Sequence, residues 1–139
     1  MLENLDLILA LDLSGNALKS LTLSELEIFD NLRYLKLAQN EIGRIYRTRH
    51  PIKNLEHLDL SENNIMTITN TTFDGLSTLK KLDLSGNLLT ALAAAFTRMP
   101  QLMHLKIQNN QLQRNSDHAT RFSVIKSKIV QILLSLNTK

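Results

Sequence analysis

The chain has 139 residues, of which 43% are hydrophobic and only 4% aromatic, and its formal net charge is +3. This length fits one compact domain with an aliphatic core, and the charge falls well short of the dense basic stripe of a nucleic-acid-binding domain, so no nucleic acid is expected as partner. The absence of cysteine excludes disulfides, thiolate zinc sites and cysteine nucleophiles.

The N-terminal residues are not expected to act as a signal peptide, because the apolar run 7–11 is short and is flanked by Asp6 and Asp12. Leu2, Leu5 and Ile8 have the spacing of the second half of a repeat whose strand is missing. No stretch approaches the ~20 apolar residues of a membrane-spanning helix, so no span is expected.

From residue 8 onwards one frame, L-x-x-L-x-L-x-x-N-x-L, occurs five times, starting near residues 8, 32, 55, 79 and 102. All 25 frame positions hold an aliphatic residue or asparagine, which chance does not produce. The frame asparagines are 23 or 24 residues apart, and they are Asn16, Asn40, Asn63, Asn87 and Asn110. Self-similarity at such a period predicts stacked units, each too small to bury its own core.

Alternation within L-x-L predicts a short strand whose leucines face the core while the variable residues face solvent. Stacked copies then place their strands in parallel, about 4.8 Å apart. After each strand the asparagine turns the chain, and its amide can satisfy backbone groups that would otherwise be unpaired in the interior. The asparagines are therefore interpreted as a structural ladder.

The segment 119–139 has two interpretations. Ile129, Ile132, Leu134 and Asn137 restart the frame, which favours a partial sixth repeat and makes Asn137 the next ladder position. The nearly helical spacing of the apolar residues between 122 and 136 fits a capping helix instead. Solenoids need polar caps, and neither end has a clear one, so 1–139 is interpreted as a single solenoid that is part of a longer protein.

The frame resembles that of the leucine-rich-repeat family over almost the whole chain. The 23–24-residue period, with Phe29, Phe73 and Phe96 in the second half of their repeats, is similar to the subclass found in extracellular receptors such as Toll-like receptors. This resemblance implies an α/β solenoid, curved, with short parallel strands on the concave face and irregular or short helical segments on the convex face.

The resemblance also implies a non-enzymatic module for protein–protein interaction that uses no cofactor. The expected role is ligand recognition by an extracellular or cell-surface protein of innate-immunity or adhesion type, with a protein ligand or co-receptor as partner. The alternative is a cytoplasmic scaffold or regulatory subunit, which the absence of cysteine suits.

Variable strand residues that depart from the common L-D-L-S filler are the candidates for partner binding on the concave face. They are Tyr34, Lys36, His57, Lys81, His104, Lys106 and Gln108. Tyr34 is the only aromatic residue among them, and tyrosine is enriched at interface hot spots. Each of these residues also has a simpler interpretation as a solvated surface side chain.

Metal and catalytic sites are not expected on this face. His57 and His104 share a column but lie two repeats apart, roughly 10 Å by strand spacing, which is too far for two ligands of one zinc ion. Asp59 and Ser61 beside His57 suggest a Ser/His/Asp set, but an open strand face offers no oxyanion hole.

Two features belong to the variable halves of the repeats. The stretch 43–51 contains Arg44, Arg47 and Arg49, and it either is a solvated charged face or meets an acidic partner, glycan or nucleic acid. Asn70 begins the triplet Asn-Thr-Thr, an N-glycosylation sequon placed away from the strands, although such triplets also arise by chance.

Overall fold

The computed structural model describes residues 4–92, 94–112 and 131–133, the last three through their backbone. Its short helices are the 3₁₀ segments η1 (Leu5–Leu7), η2 (Leu23–Ile28) and η3 (Ala94–Arg98). The strands are β1 (Ala10–Asp12), β2 (Ser20–Thr22), β3 (Tyr34–Lys36), β4 (Arg44–Tyr46), β5 (His57–Asp59), β6 (Lys81–Asp83), β7 (His104–Lys106) and β8 (Gln131–Leu133).

Six strands form one parallel sheet in the order β1-β3-β5-β6-β7-β8. Each strand begins at the same frame position, so the central leucine of one repeat lies opposite that of the next, as in the pairing of Leu35 with Leu58 and of Leu58 with Leu82. The parallel stack and its one-strand-per-repeat progression confirm the predicted leucine-rich-repeat solenoid.

The frame leucines form a continuous core behind this sheet. Leu58 at the centre of β5 is 2% exposed and Leu60 is fully buried, whereas Tyr34 on β3 points outward and is 44% exposed. Phe73 and Phe96 extend the core on the convex side, where their ring centroids lie 6.2 Å apart. Among the described residues, successive repeats therefore bury their apolar side chains against one another, as stacking requires.

A second, two-stranded parallel sheet pairs β2 with β4 on the opposite side of the core. Leu21 and Ile45 point inward from this sheet, while Arg44 and Tyr46 are exposed on its outer face. Together with η2 and η3 it makes up the convex segments. The sequence predicted irregular or short helical segments there and did not anticipate this small sheet.

The buried asparagines join each repeat to the preceding one. Asn63 Nδ2 donates to the carbonyls of Leu60 and Ser61 in its own turn and to Leu37 O of the preceding repeat. Its Oδ1 accepts from the backbone N–H of Ile42 at 2.9 Å. Side-chain bonds to the same positions recur at Asn40, Asn87 and Asn110.

Asn16 differs from these four residues because its side chain is exposed and, among the described residues, donates only within its own turn, to the carbonyls of Leu13 and Ser14. The described residues contain no earlier turn of the frame for it to join. Asn137 and most of the segment 119–139 lie outside the described residues. Of that segment the structure gives only β8, which pairs with β7 and places Gln131 opposite His104.

Candidate functional site

The concave face of the larger sheet carries a groove of about 400 Å³ across β3, β5, β6 and β7. Its floor is the backbone of the strands, because their leucines point into the core and leave the variable side chains as walls. Six of the seven predicted binding residues line it: Tyr34, Lys36, His57, Lys81, His104 and Lys106. Gln108 follows β7, and its buried amide oxygen accepts no hydrogen bond within the described part of the chain.

Tyr34 and His57 are brought together by the register of β3 and β5. Their ring centroids are 4.7 Å apart and the rings are tilted by 53°. Because the histidine supports one side of the tyrosine ring, much of the ring is held in place while 44% of the residue remains exposed. A supported, exposed tyrosine offers a large contact area at a low cost in conformational entropy.

The lysines of the groove have different electrostatic environments. Lys36 Nζ lies 3.8 Å from Asp12 Oδ2, and Lys106 Nζ lies 3.1 Å from Asp83 Oδ2. Lys81, between them in the sheet, forms no ion pair with any described residue and is exposed. The centre of the groove therefore presents a cation whose charge no neighbouring carboxylate neutralises.

Asp59 and Ser61 do not combine with His57 as a catalytic set would. Ser61 Oγ donates to Asp59 Oδ1 at 2.6 Å, and the backbone N–H of Ser61 donates to the same oxygen. Asp83 and Ser85 repeat this arrangement one repeat later. The pair thus closes the turn after each strand, and within the described ranges no three histidine or acidic side chains group as metal ligands would.

Burial lowers the pKa of His57 below its usual value, and the charge of Lys81 lowers it further, against an opposing effect of Glu56. The other ionisable groups that contact or act on this ring are Tyr34 on β3, Lys80 immediately before β6, and His104 on β7. His57 is therefore mainly neutral at neutral pH.

We expect an NMR titration of His57 to give a midpoint below 6.5, and Lys81→Gln to move that midpoint upward because a repelling cation is removed. Since the folded-state pKa lies below that of the unfolded chain, the contribution of His57 to stability is complete above pH 6.5 and declines as the pH falls through the folded-state pKa. A midpoint above 6.5 in the wild-type chain would contradict this assignment.

Sequence reasoning overlooked Glu56, which lies immediately before β5 and joins three repeats. Its Oε1 lies 2.7 Å from Arg33 Nη1, and its Oε2 accepts from Lys80 Nζ at 2.9 Å. The hydrogen bond from Lys80 is the largest cause of the lowered pKa of this carboxyl. The alternation of charge in the column Arg33, Glu56, Lys80 was the signal that could have identified it.

Asn70 lies on the convex side, away from the main sheet. Its side chain is exposed and its Oδ1 accepts from the backbone N–H of Ala94 at 3.0 Å, next to the start of η3. The sequon residue Thr72 is buried, where its hydroxyl accepts from the N–H of Thr69. Glycosylation of Asn70 stays a prediction.

Comparisons with known proteins agree with this architecture. Residues 53–112 match the family model described as leucine rich repeat. The chain is 32% identical over 111 residues to human leucine-rich repeats and immunoglobulin-like domains protein 3, covering 79% of this chain and 10% of that protein. It is 35% identical over 115 residues to mouse transforming growth factor beta activator LRRC32, covering 78% of this chain and 17% of that protein.

A solved structure of TLR13 in complex with ssRNA13 superposes with a TM-score of 0.75 and 28% identity, covering 89% of this chain and 18% of that one. The chain thus spans between a tenth and a fifth of the length of these proteins. Within the described ranges, no helix has the length and apolar character needed to cross a bilayer. The shared property of these matches is the repeat scaffold on which interaction surfaces are built.

Proposed function

Because this chain belongs to the leucine-rich-repeat family, we propose that it recognises a protein ligand or co-receptor through its concave groove, as part of an extracellular or cell-surface protein. Family membership supports an interaction module in general, and the choice of surface rests on the residues of the groove. One observation carries that choice: His57 supports the ring of Tyr34 on one side and lies opposite Lys81, which forms no ion pair with a described residue, on the other.

These groups suit a protein interface better than a solvated surface. Tyr34 supplies apolar area together with a hydroxyl group. Lys81 can pair with a carboxylate of the partner without first breaking an ion pair to a described residue, unlike Lys36 and Lys106. The pairs Lys36–Asp12 and Lys106–Asp83 border the groove and keep its rim polar. A polar rim around the contact residues is the usual anatomy of a protein interface.

The extracellular assignment is supported by the repeat length, by the exposed asparagine of the sequon, Asn70, and by the kind of relative found. The mouse relative is named an activator of transforming growth factor beta, and the human relative is named for its immunoglobulin-like domains. We therefore place recognition of a secreted or membrane-bound protein ahead of an intracellular scaffold.

The proposal predicts that Tyr34→Ala weakens partner binding by at least about tenfold, as expected for truncation of an aromatic hot spot. The partner is first identified by screening the chain against a panel of secreted and cell-surface ectodomains alongside a panel of cytosolic proteins. Affinities of the variants are then measured by surface plasmon resonance. The comparison variant is Tyr46→Ala, since Tyr46 is the other tyrosine of the chain, is 50% exposed and lies on the convex sheet.

Loss of binding by Tyr34→Ala with near wild-type binding by Tyr46→Ala supports the concave groove. Loss confined to Tyr46→Ala would contradict it. Specific binders found only in the cytosolic panel, still dependent on Tyr34, would keep the groove and overturn the extracellular assignment.

A further inference from the structure

A second groove, of about 430 Å³, lies on the convex side between β4 and the segment 66–72 of the next repeat. It is separate from the concave groove and shares no lining residue with it. Tyr46 and Met66, which are 50% and 60% exposed, are among the residues that line it. Two large apolar side chains thus meet solvent in one depression.

The groove exists because the small convex sheet stops at β4. Residues 67–69 occupy the position in the third repeat that corresponds to β4, but they form no strand. The N–H of Thr69 instead donates to Thr72 Oγ1 at 2.9 Å, and the hydroxyls of Thr69 and Thr72 lie 3.0 Å apart. This local threonine turn bends the chain, so that β4 is paired with β2 on one edge only.

The charged side chains that line this groove are all positive. Its lining includes Arg44 and Arg47 and contains no aspartate or glutamate. Neither arginine forms an ion pair with a described residue, whereas Arg33 and Lys80 share Glu56 where the strands of the main sheet begin. The nearby carboxylate of Glu27 is occupied by hydrogen bonds from Thr48 and from His50.

We infer that this convex groove, bounded by Arg44, Tyr46, Arg47 and Met66, binds an extended acidic segment of a partner protein. Charge complementarity selects the occupant, because two unneutralised guanidinium groups favour carboxylates, with which arginine forms paired hydrogen bonds. An extended segment suits the open edge of β4, whose backbone groups are available to a peptide main chain. The methylene groups of the segment's side chains pack against Tyr46 and Met66.

The probe is an acetylated, amidated and fluorescently labelled peptide of about eight residues in which Glu and Thr alternate, so that the carboxylates share one face of an extended chain. Its binding to the intact chain is followed by fluorescence anisotropy. The matched peptide carries Gln in place of Glu. We expect the Glu peptide to bind with an affinity that falls as salt is added, and the Gln peptide to bind far more weakly.

The test variant is Arg44→Gln/Arg47→Gln, which is expected to raise the Kd of the Glu peptide by about tenfold or more. Lys19→Gln/Lys53→Gln is the control, since it removes the same charge from two exposed lysines that lie outside both grooves. All four side chains are exposed, so circular dichroism and melting temperature should match the wild type.

An equal loss in both double variants would show attraction to net charge alone and would overturn the inference. Equal binding of the Glu and Gln peptides would do the same. Binding of a heparin octasaccharide through Arg44 and Arg47, without binding of the Glu peptide, would keep the site but overturn the assignment of an acidic protein segment as its occupant. Because none of these variants alters a residue of the concave groove, failure here leaves the concave proposal intact.

Discussion

Phe73→Ala is expected to lower the free energy of unfolding by about 4 kcal/mol, the usual cost of truncating a fully packed phenylalanine. Phe73 is 3% exposed and its ring lies 6.2 Å from that of Phe96, in the part of the core that backs the threonine turn. The loss removes apolar burial and leaves a cavity that the neighbouring repeats cannot fill. Urea unfolding followed by circular dichroism measures the change.

Phe29→Ala is the matched control, because Phe29 occupies the corresponding second half of its repeat but is only partly buried. Its truncation should cost about half as much, in proportion to the smaller area removed from solvent. Equal losses at the two positions would contradict the difference in burial and would show that the two phenylalanines contribute equally to the convex core.

Asn63→Ala is expected to cost about 3 kcal/mol, because the change leaves several buried backbone groups without partners. Asn63 is 4% exposed, and its side chain satisfies the carbonyls of Leu37, Leu60 and Ser61 and the N–H of Ile42. Two of these groups belong to the preceding repeat, so the substitution loosens the connection between repeats as well as the local turn. The same urea titration measures it.

Asn16→Ala supplies the comparison for the ladder. The side chain of Asn16 is exposed and, in the part of the chain that the structure describes, bonds only within its own turn, so we expect a loss below about 1 kcal/mol. A wild-type unfolding midpoint for Asn63→Ala, or equal effects at both positions, would show that the asparagines do not hold adjacent repeats together.

The frame predicted the main sheet because its chemistry is local and repeated. Leucines at fixed offsets can be buried only if the strands are parallel and in register, and the structure pairs Leu35, Leu58 and Leu82 in this way. The face on which Tyr34 and His57 lie follows from the same alternation. Their ring contact does not follow, because it depends on side-chain rotamers that sequence spacing leaves open.

The convex side was less predictable because the second half of each repeat varies in sequence. The backbone of β4 bonds to a neighbouring strand, β2. At residues 67–69 no strand forms, because the N–H of Thr69 bonds to the side chain of Thr72 instead. The groove beside Arg44 and Met66 therefore depends on which of two hydrogen bonds the backbone forms, and the repeat pattern of the sequence does not predict that choice. The stretch 43–51 was recognised as basic, but the depression along it was not.

The most direct test of the account is hydrogen–deuterium exchange of the chain with and without the partner identified in the ectodomain screen. We predict slower exchange in peptides that contain β3, β5 and β6, centred on Tyr34, His57 and Lys81, with the convex peptides of β2 unchanged. Protection restricted to convex peptides, with the concave strands unaffected by a saturating partner, would contradict the claim that the concave groove is the recognition surface.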